Sequence, residues 1–167
     1  MDKHFYVMEK KQGVVIDAEI PMIEGAKSIE QEISQSLVDT FITLQQVDYE
    51  KAGLQSIGRP EGFLERQVNG WINRYALSAT DEIPAIKEVE SWLLKHIPTT
   101  TETTIVHNDF KLNNLVLATD APVRINGVLD WELATIGDPL SDLGSTLAYW
   151  VEKDDLHLGI QTVTDRP

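Results

Sequence analysis

The stretch His107-Asn108-Asp109-Phe110-Lys111-Leu112-Asn113-Asn114 constrains the fold of this chain more than any other. It is flanked by two short apolar runs, Thr104-Ile105-Val106 and Leu115-Val116-Leu117. Both runs read as strands, and the polar stretch between them reads as a loop. A third strand is expected at Val128-Leu129, beyond a turn at Thr119 to Pro122, and it leads directly into Asp130-Trp131-Glu132. From Pro139, the positions of Leu143, Leu147 and Trp150 predict a closing helix. The tail after Glu152 is polar, with no clear element.

The first hundred residues have a different texture. Phe5 to Met8 and Val14 to Ile16 are β-branched or aromatic runs and read as extended pieces around Gly13. Ile29, Ile33, Leu37, Phe41 and Leu44 recur at helical spacing, and Ser28 with Gln31 fits a capping box at the start. A second stripe runs through Leu64, Val68, Trp71 and Tyr75. It contains Asn69-Gly70, a hairpin signal, but the apolar period continues through the pair and favours a helix. Pro84 suits the first turn of a third helix, with Ile86, Val89, Leu93 and Ile97 facing inward. Core packing is the default expectation for Trp71, Trp92, Trp131 and Trp150.

Charge and composition narrow the function classes. Asp and Glu number 27 against 14 Lys and Arg, a formal net charge of -13. That field repels phosphate backbones, so nucleic acid is an unfavourable partner. A nucleotide would need a divalent cation to offset it. The chain has no cysteine, which removes disulfides and thiol chemistry. No apolar run approaches the ~18 residues of a membrane span, and residues 1 to 4 carry no signal-peptide pattern. A cytoplasmic protein without membrane contact is the expectation.

Asp109 and Asn114 stand five positions apart in the loop, and Asp130 follows an apolar strand. Phosphoryl transfer needs such parts. One carboxylate orients an acceptor hydroxyl and takes its proton, while another carboxylate and an amide oxygen suit Mg²⁺. Each residue also has a plainer reading, since Asp and Asn are common turn and capping residues. Lys111 could contact the transferred phosphate or be a solvated cation. Asp138 is expected to cap or brace the helix that follows it. Arg66 and Arg74 could be surface charges.

His107-x-Asp109 with Asn114 resembles the catalytic loop of protein kinases and of the aminoglycoside phosphotransferase and choline kinase group. Lys111 matches the protein-kinase form. Asp130-Trp131-Glu132 resembles the aminoglycoside-phosphotransferase version of the metal-binding motif. Gly137-Asp138-Pro139 with Asp142-Leu143 matches that family's downstream signature. Three blocks in the right order are a specific signal. The resemblance implies an α+β fold, a protein-kinase-like C-terminal lobe, mainly helical with short β-hairpins around the catalytic loop. It implies that Asp109 is the catalytic carboxylate, with Lys111 beside it. Asn114 and Asp130 would hold Mg²⁺, His107 would brace the loop, and Asp142 would hold it through backbone hydrogen bonds. Backbone groups near Met8 and Glu9 would meet adenine. Residues 1–16 would be the last N-lobe strand and hinge, and 17–167 a partial C-terminal lobe.

Arg59-Pro60 through Arg66-Gln67 and Trp71, with Asp130 to Pro139, resemble more closely the kinase-like domains associated with acyl-CoA dehydrogenases. The expected function is an ATP- or GTP-dependent phosphotransferase of a small-molecule hydroxyl, such as a hydroxyacyl-CoA or an aminoglycoside-like or choline-like alcohol. The family often has Gly where Asn108 stands. No Gly-rich phosphate loop and no Ala-x-Lys strand occur in the sequence. The chain is therefore expected to be a truncated lobe, inactive in isolation. The competing reading is a non-catalytic lobe that binds or regulates. A protein kinase fits less well, because no Ala-Pro-Glu block follows Asp130.

Overall fold

The computed structural model describes residues 7–16, 20, 22–26 and 28–150. They divide into two compact units. The first comprises the described residues up to Ile42, Asp109–Glu132 and residues 146–150; the second, Thr43–Asn108 and Leu133–Ser145.

The first unit is built on a three-stranded antiparallel sheet. Strand β1 (Val14–Val15) pairs with β3 (Leu115–Leu117), and β3 pairs with β4 (Ile125–Val128). Helix α1 (Ile29–Gln45) begins in this unit. Its residues Ile33, Leu37 and Phe41 are buried at successive four-residue steps, as the periodicity predicts. Ile16, Ile23, Ile33, Leu117 and Val123 form one core cluster. The polar side of α1 also contributes. Ser36 Oγ accepts the backbone N–H of Ile125 at 2.9 Å, and Glu32 accepts that of Val123 at 3.1 Å. Backbone donors at the start of β4 are thus satisfied by helix side chains. Gly13 is required where it stands: its φ is 145°, and a Cβ there would lie 2.1 Å from the Leu117 carbonyl oxygen.

The second unit holds α2 (Phe63–Ser78), α3 (Pro84–Lys95) and a two-stranded antiparallel sheet, β2 (Thr104–Val106) with β5 (Thr135–Gly137). Asn69-Gly70 lies inside α2, so the continuing helical period outweighs the hairpin signal. Glycine at the N-cap gives α2 no side-chain cap. Instead, the Arg66 guanidinium donates to the carbonyls of Arg59 and Glu61, holding the chain that enters the helix. Phe63 is buried, and its ring lies where a Cβ on Gly137 would be, 2.6 Å away. Helix α4 (Pro139–Leu147) begins in this unit. Asp138 Oδ1 accepts the Leu140 N–H at 2.9 Å, the capping role expected of it.

Several expectations need correction. Phe5 and Tyr6 lie outside the described residues, and Val7 and Met8 are exposed and irregular rather than a strand. β5 had no recognisable signal. Val89 is exposed, and no residue of α3 is fully buried. All four tryptophans are substantially exposed, and three make polar or ring contacts instead of filling a core. Trp71 carries the Arg74 guanidinium 4.1 Å above its ring, Trp92 stacks on His96, and Trp131 Nε1 donates to the Val128 carbonyl at 2.8 Å. In α4 the expected apolar stripe is exposed at Leu143 and Leu147, and Trp150, also exposed, lies beyond the helix end, whereas Asp142 and Thr146 are buried. Among the described residues, no helix is long and apolar enough to cross a membrane.

Candidate active site

The residues before Asp109 belong to the second unit, and Asp109 itself and those after it to the first. In the second unit, β2 ends at Val106, and His107 follows, fully buried. Asp142 accepts two successive backbone N–H groups, that of His107 at 2.8 Å and that of Asn108 at 2.7 Å. Burial pushes the Asp142 carboxyl above its ordinary value, and the two hydrogen bonds offset part of that. Asn108 has φ 64°, a left-handed conformation that Asn tolerates better than most residues. Its Nδ2 donates to the Leu133 carbonyl at 2.8 Å. The Asn108 side chain therefore adds a tie to the loop.

In the first unit, Phe110 is fully buried, and its ring centroid is 5.1 Å from that of Phe41. This anchors the backbone beside Asp109. A single turn of 3-10 helix, Leu112–Asn114, brings Asn114 back toward Asp109. Asn114 Nδ2 donates to Asp109 Oδ2 at 2.8 Å and to the Asp109 carbonyl at 2.9 Å. Both partners are pure acceptors, so the amide nitrogen must face them and Oδ1 must point elsewhere. Lys111 Nζ lies 2.9 Å from Asp109 Oδ1. Partial burial pushes the Lys111 ammonium down, but the hydrogen bond and charge of Asp109, with Tyr149, outweigh it and raise its pKa. The side chains of Asp109 and Lys111 remain 20% and 23% exposed, so the pair can be reached from solvent.

Asp130 comes to the same end of the sheet through register. Leu115 faces Val128 across β3 and β4, and the Leu129 N–H donates to the Asn114 carbonyl at 2.8 Å. Asp130 is the next residue, exposed and left-handed at φ 61°. An amide oxygen and a carboxylate are hard donors that suit Mg²⁺. Among the described residues, no group of three or more His, Cys, Asp or Glu could hold a metal. This sparse donor set fits an ion that keeps waters and shares phosphate oxygens with a substrate, as Mg²⁺ does, and does not fit a closed protein cage.

The structure thus joins Asp109, Lys111 and Asn114 by direct contact, Asp130 to Asn114 by register, and His107 to Asp142 by a hydrogen bond. Met8 and Glu9 lie in an exposed irregular segment before β1, where Glu9 pairs with Lys11 at 2.8 Å. Two contributors were not singled out in the sequence. One is Ser145, whose hydroxyl reaches the Asn108 carbonyl at 3.4 Å. The other is Tyr149, whose hydroxyl reaches Asp109 Oδ1 at 3.4 Å. Neither lies in a recognisable motif.

Comparison with known proteins places the chain in a family. Residues 2–165 match the model of the phosphotransferase enzyme family, APH. The chain is 40% identical over 150 residues to rat acyl-CoA dehydrogenase family member 11, covering 87% of this chain and 19% of that protein. It is 33% identical over 174 residues to mouse acyl-CoA dehydrogenase family member 10, covering 96% of this chain and 16% of that protein. It therefore spans less than a fifth of these relatives' length. Among solved structures, a Ralstonia eutropha protein assigned to the aminoglycoside phosphotransferases superposes with a TM-score of 0.77 at 32% identity, covering 89% of this chain and 45% of that one. The macrolide 2'-phosphotransferase of Brachybacterium faecium superposes with a TM-score of 0.50 at 26% identity, covering 66% of this chain and 36% of that one. The mainly helical, kinase-like α+β architecture expected from the motifs is the one observed. With residues 2–165 matched by the family model and its fold shared with these solved structures, this chain belongs to the phosphotransferase enzyme family.

Proposed function

We propose that this chain carries the catalytic loop of a phosphotransferase that moves a phosphoryl group from ATP or GTP to the hydroxyl of a small molecule. The observation that carries this reading is the double hydrogen bond from Asn114 to Asp109, which aims one carboxylate with a side chain suited to binding a metal. Asp109 orients the acceptor hydroxyl and takes its proton as the new O–P bond forms. Lys111 balances the Asp109 charge and offers a cation beside the transferred group. Asn114, through its amide oxygen, and Asp130, through its carboxylate, would hold Mg²⁺. When bound, the ion would draw charge from the phosphate oxygens. His107 and Asn108, tied to Asp142, keep the loop in the conformation that presents the carboxylate.

The acceptor proposed is a hydroxyacyl-CoA. The support is the match to relatives named as acyl-CoA dehydrogenase family members. The test is an assay of the full encoded chain with magnesium and ATP or GTP, offering a hydroxyacyl-CoA, choline and an aminoglycoside in turn. Transfer to the thioester that disappears in Asp109→Asn supports the reading. Transfer that survives the substitution would remove Asp109 from its role, and transfer only to another alcohol would remove the hydroxyacyl-CoA.

A further inference from the structure

The Asp109 carboxylate is met from two sides. Asn114 takes Oδ2, while Lys111 and Tyr149 both approach Oδ1. Tyr149 does two separable things there. Its ring lies under the Lys111 ammonium, 4.8 Å from the centroid, within the range where an aromatic face attracts a cation. Its hydroxyl points at Asp109 Oδ1 from 3.4 Å, longer than a well-formed bond between a hydroxyl and a carboxylate. A contact that long is easily exchanged for a better one. It is also the contact that an acceptor alcohol must make to be deprotonated by Asp109. The phenol therefore stands where the reacting hydroxyl belongs.

We propose that Tyr149 is a positioning residue with two roles. Its ring seats Lys111 against Asp109, and its hydroxyl holds the acceptor's place on Oδ1 until an acceptor displaces it. This rests on reading Asp109 as the carboxylate that orients the acceptor. Partial burial works against the Lys111 charge, yet Asp109 and Tyr149 together raise its pKa, so the ring faces a cation at neutral pH. Tyr149 is partly exposed, so replacing it removes little core packing.

The ring is tested without any turnover. The full encoded chain and its Y149F and Y149L variants are exposed to an amine-acylating reagent, and Lys111 modification is followed by peptide mass spectrometry against Lys10. Y149L is expected to speed modification of Lys111 about three- to tenfold, whereas Y149F, which keeps the ring, stays near the parent rate. A Y149L rate equal to the parent's, or a Y149F rate equal to that of Y149L, overturns the ring's role. The hydroxyl is tested with magnesium and ATP alone, water being the acceptor. Y149F is expected to raise hydrolysis roughly two- to fivefold, because Oδ1 is opened to water. No rise overturns the placeholder role. Adding Asp109→Asn to Y149F separates the two readings. Raised hydrolysis that persists in the double variant fails the assignment of Asp109, while the lysine comparison still decides the ring.

Discussion

Asn114 donates through one nitrogen to two oxygens of Asp109, the carboxylate Oδ2 at 2.8 Å and the backbone carbonyl at 2.9 Å. The contact fixes both the aim of the carboxylate and the backbone that carries it. It also orients the Asn114 amide oxygen away from Asp109. Replacing Asn114 with Asp would set two carboxylates against each other in a largely buried place. Asn114→Asp should destabilise the chain by about 1–3 kcal/mol in urea denaturation, the cost of a buried polar group without a partner. Asp109→Ala, measured by steady-state turnover of the full encoded chain, should lower the rate about 10²–10⁴-fold.

Asp130 is exposed and left-handed, so its carboxylate has no packing role to lose. Asp130→Ala should therefore leave the urea midpoint nearly unchanged while weakening magnesium-dependent nucleotide binding by about tenfold or more, read by calorimetric titration at several magnesium concentrations. Binding that keeps its magnesium dependence would take the carboxylate out of the metal site.

Asn108 combines φ 64° with a side-chain bond to the Leu133 carbonyl. Glycine keeps the backbone conformation and loses only the bond, so Asn108→Gly should cost about 0.5–1.5 kcal/mol. Alanine loses the bond and also strains the left-handed backbone, adding about 1–2 kcal/mol. The order of the two variants in thermal or urea unfolding is the check, with alanine the less stable.

Asp142 accepts two backbone donors, and an amide in its place can offer only one oxygen. Asp142→Asn should cost about 1–3 kcal/mol, because one buried N–H loses its acceptor. The pH dependence has a definite sign. Burial raises the folded pKa above the ordinary 3.8, so the folded chain holds this proton more tightly than the unfolded one. The stability linked to Asp142 is therefore greatest below the unfolded pKa. It falls as pH rises through the raised value and is flat above it. In urea denaturation across that window, the advantage of the parent over Asp142→Asn should shrink with rising pH and then level off.

Gly137 sits against the buried Phe63 ring, where a Cβ would come within 2.6–2.8 Å of ring carbons. Gly137→Ala should cost about 1–3 kcal/mol by overpacking, measured as a lowered thermal midpoint. Gly53, with φ 72° but open space around it, is the matched control: alanine there meets backbone strain and no clash.

The comparison of α1 with α4 shows how far hydropathy carries. In α1 the buried positions are Ile33, Leu37 and Phe41, so apolar spacing alone locates the inner face. In α4 the buried positions are Asp142 and Thr146, while Leu143 and Leu147 are exposed. Any rule that puts leucine inside turns this helix the wrong way. The burial follows from a demand elsewhere in the chain: the N–H groups of His107 and Asn108 need an acceptor, and Asp142 supplies it. The tryptophans fail for a related reason, since Trp71 holds a cation over its ring and Trp131 ties back to a carbonyl through its indole nitrogen.

What this sequence determined by itself was local or motif-bound. The helices α1 to α3, the loop from His107 to Asn114 and the acid after the strand are set by short-range spacing, and spacing is written directly in the chain. What only the tertiary structure decided was long-range. The pairing of β2 with β5, the inward turn of Asp142 and the approach of Tyr149 to Asp109 each join residues some thirty to forty positions apart. Such contacts depend on which backbone donors and carboxylate oxygens are left to be satisfied once the chain has closed on itself, and no local period encodes that.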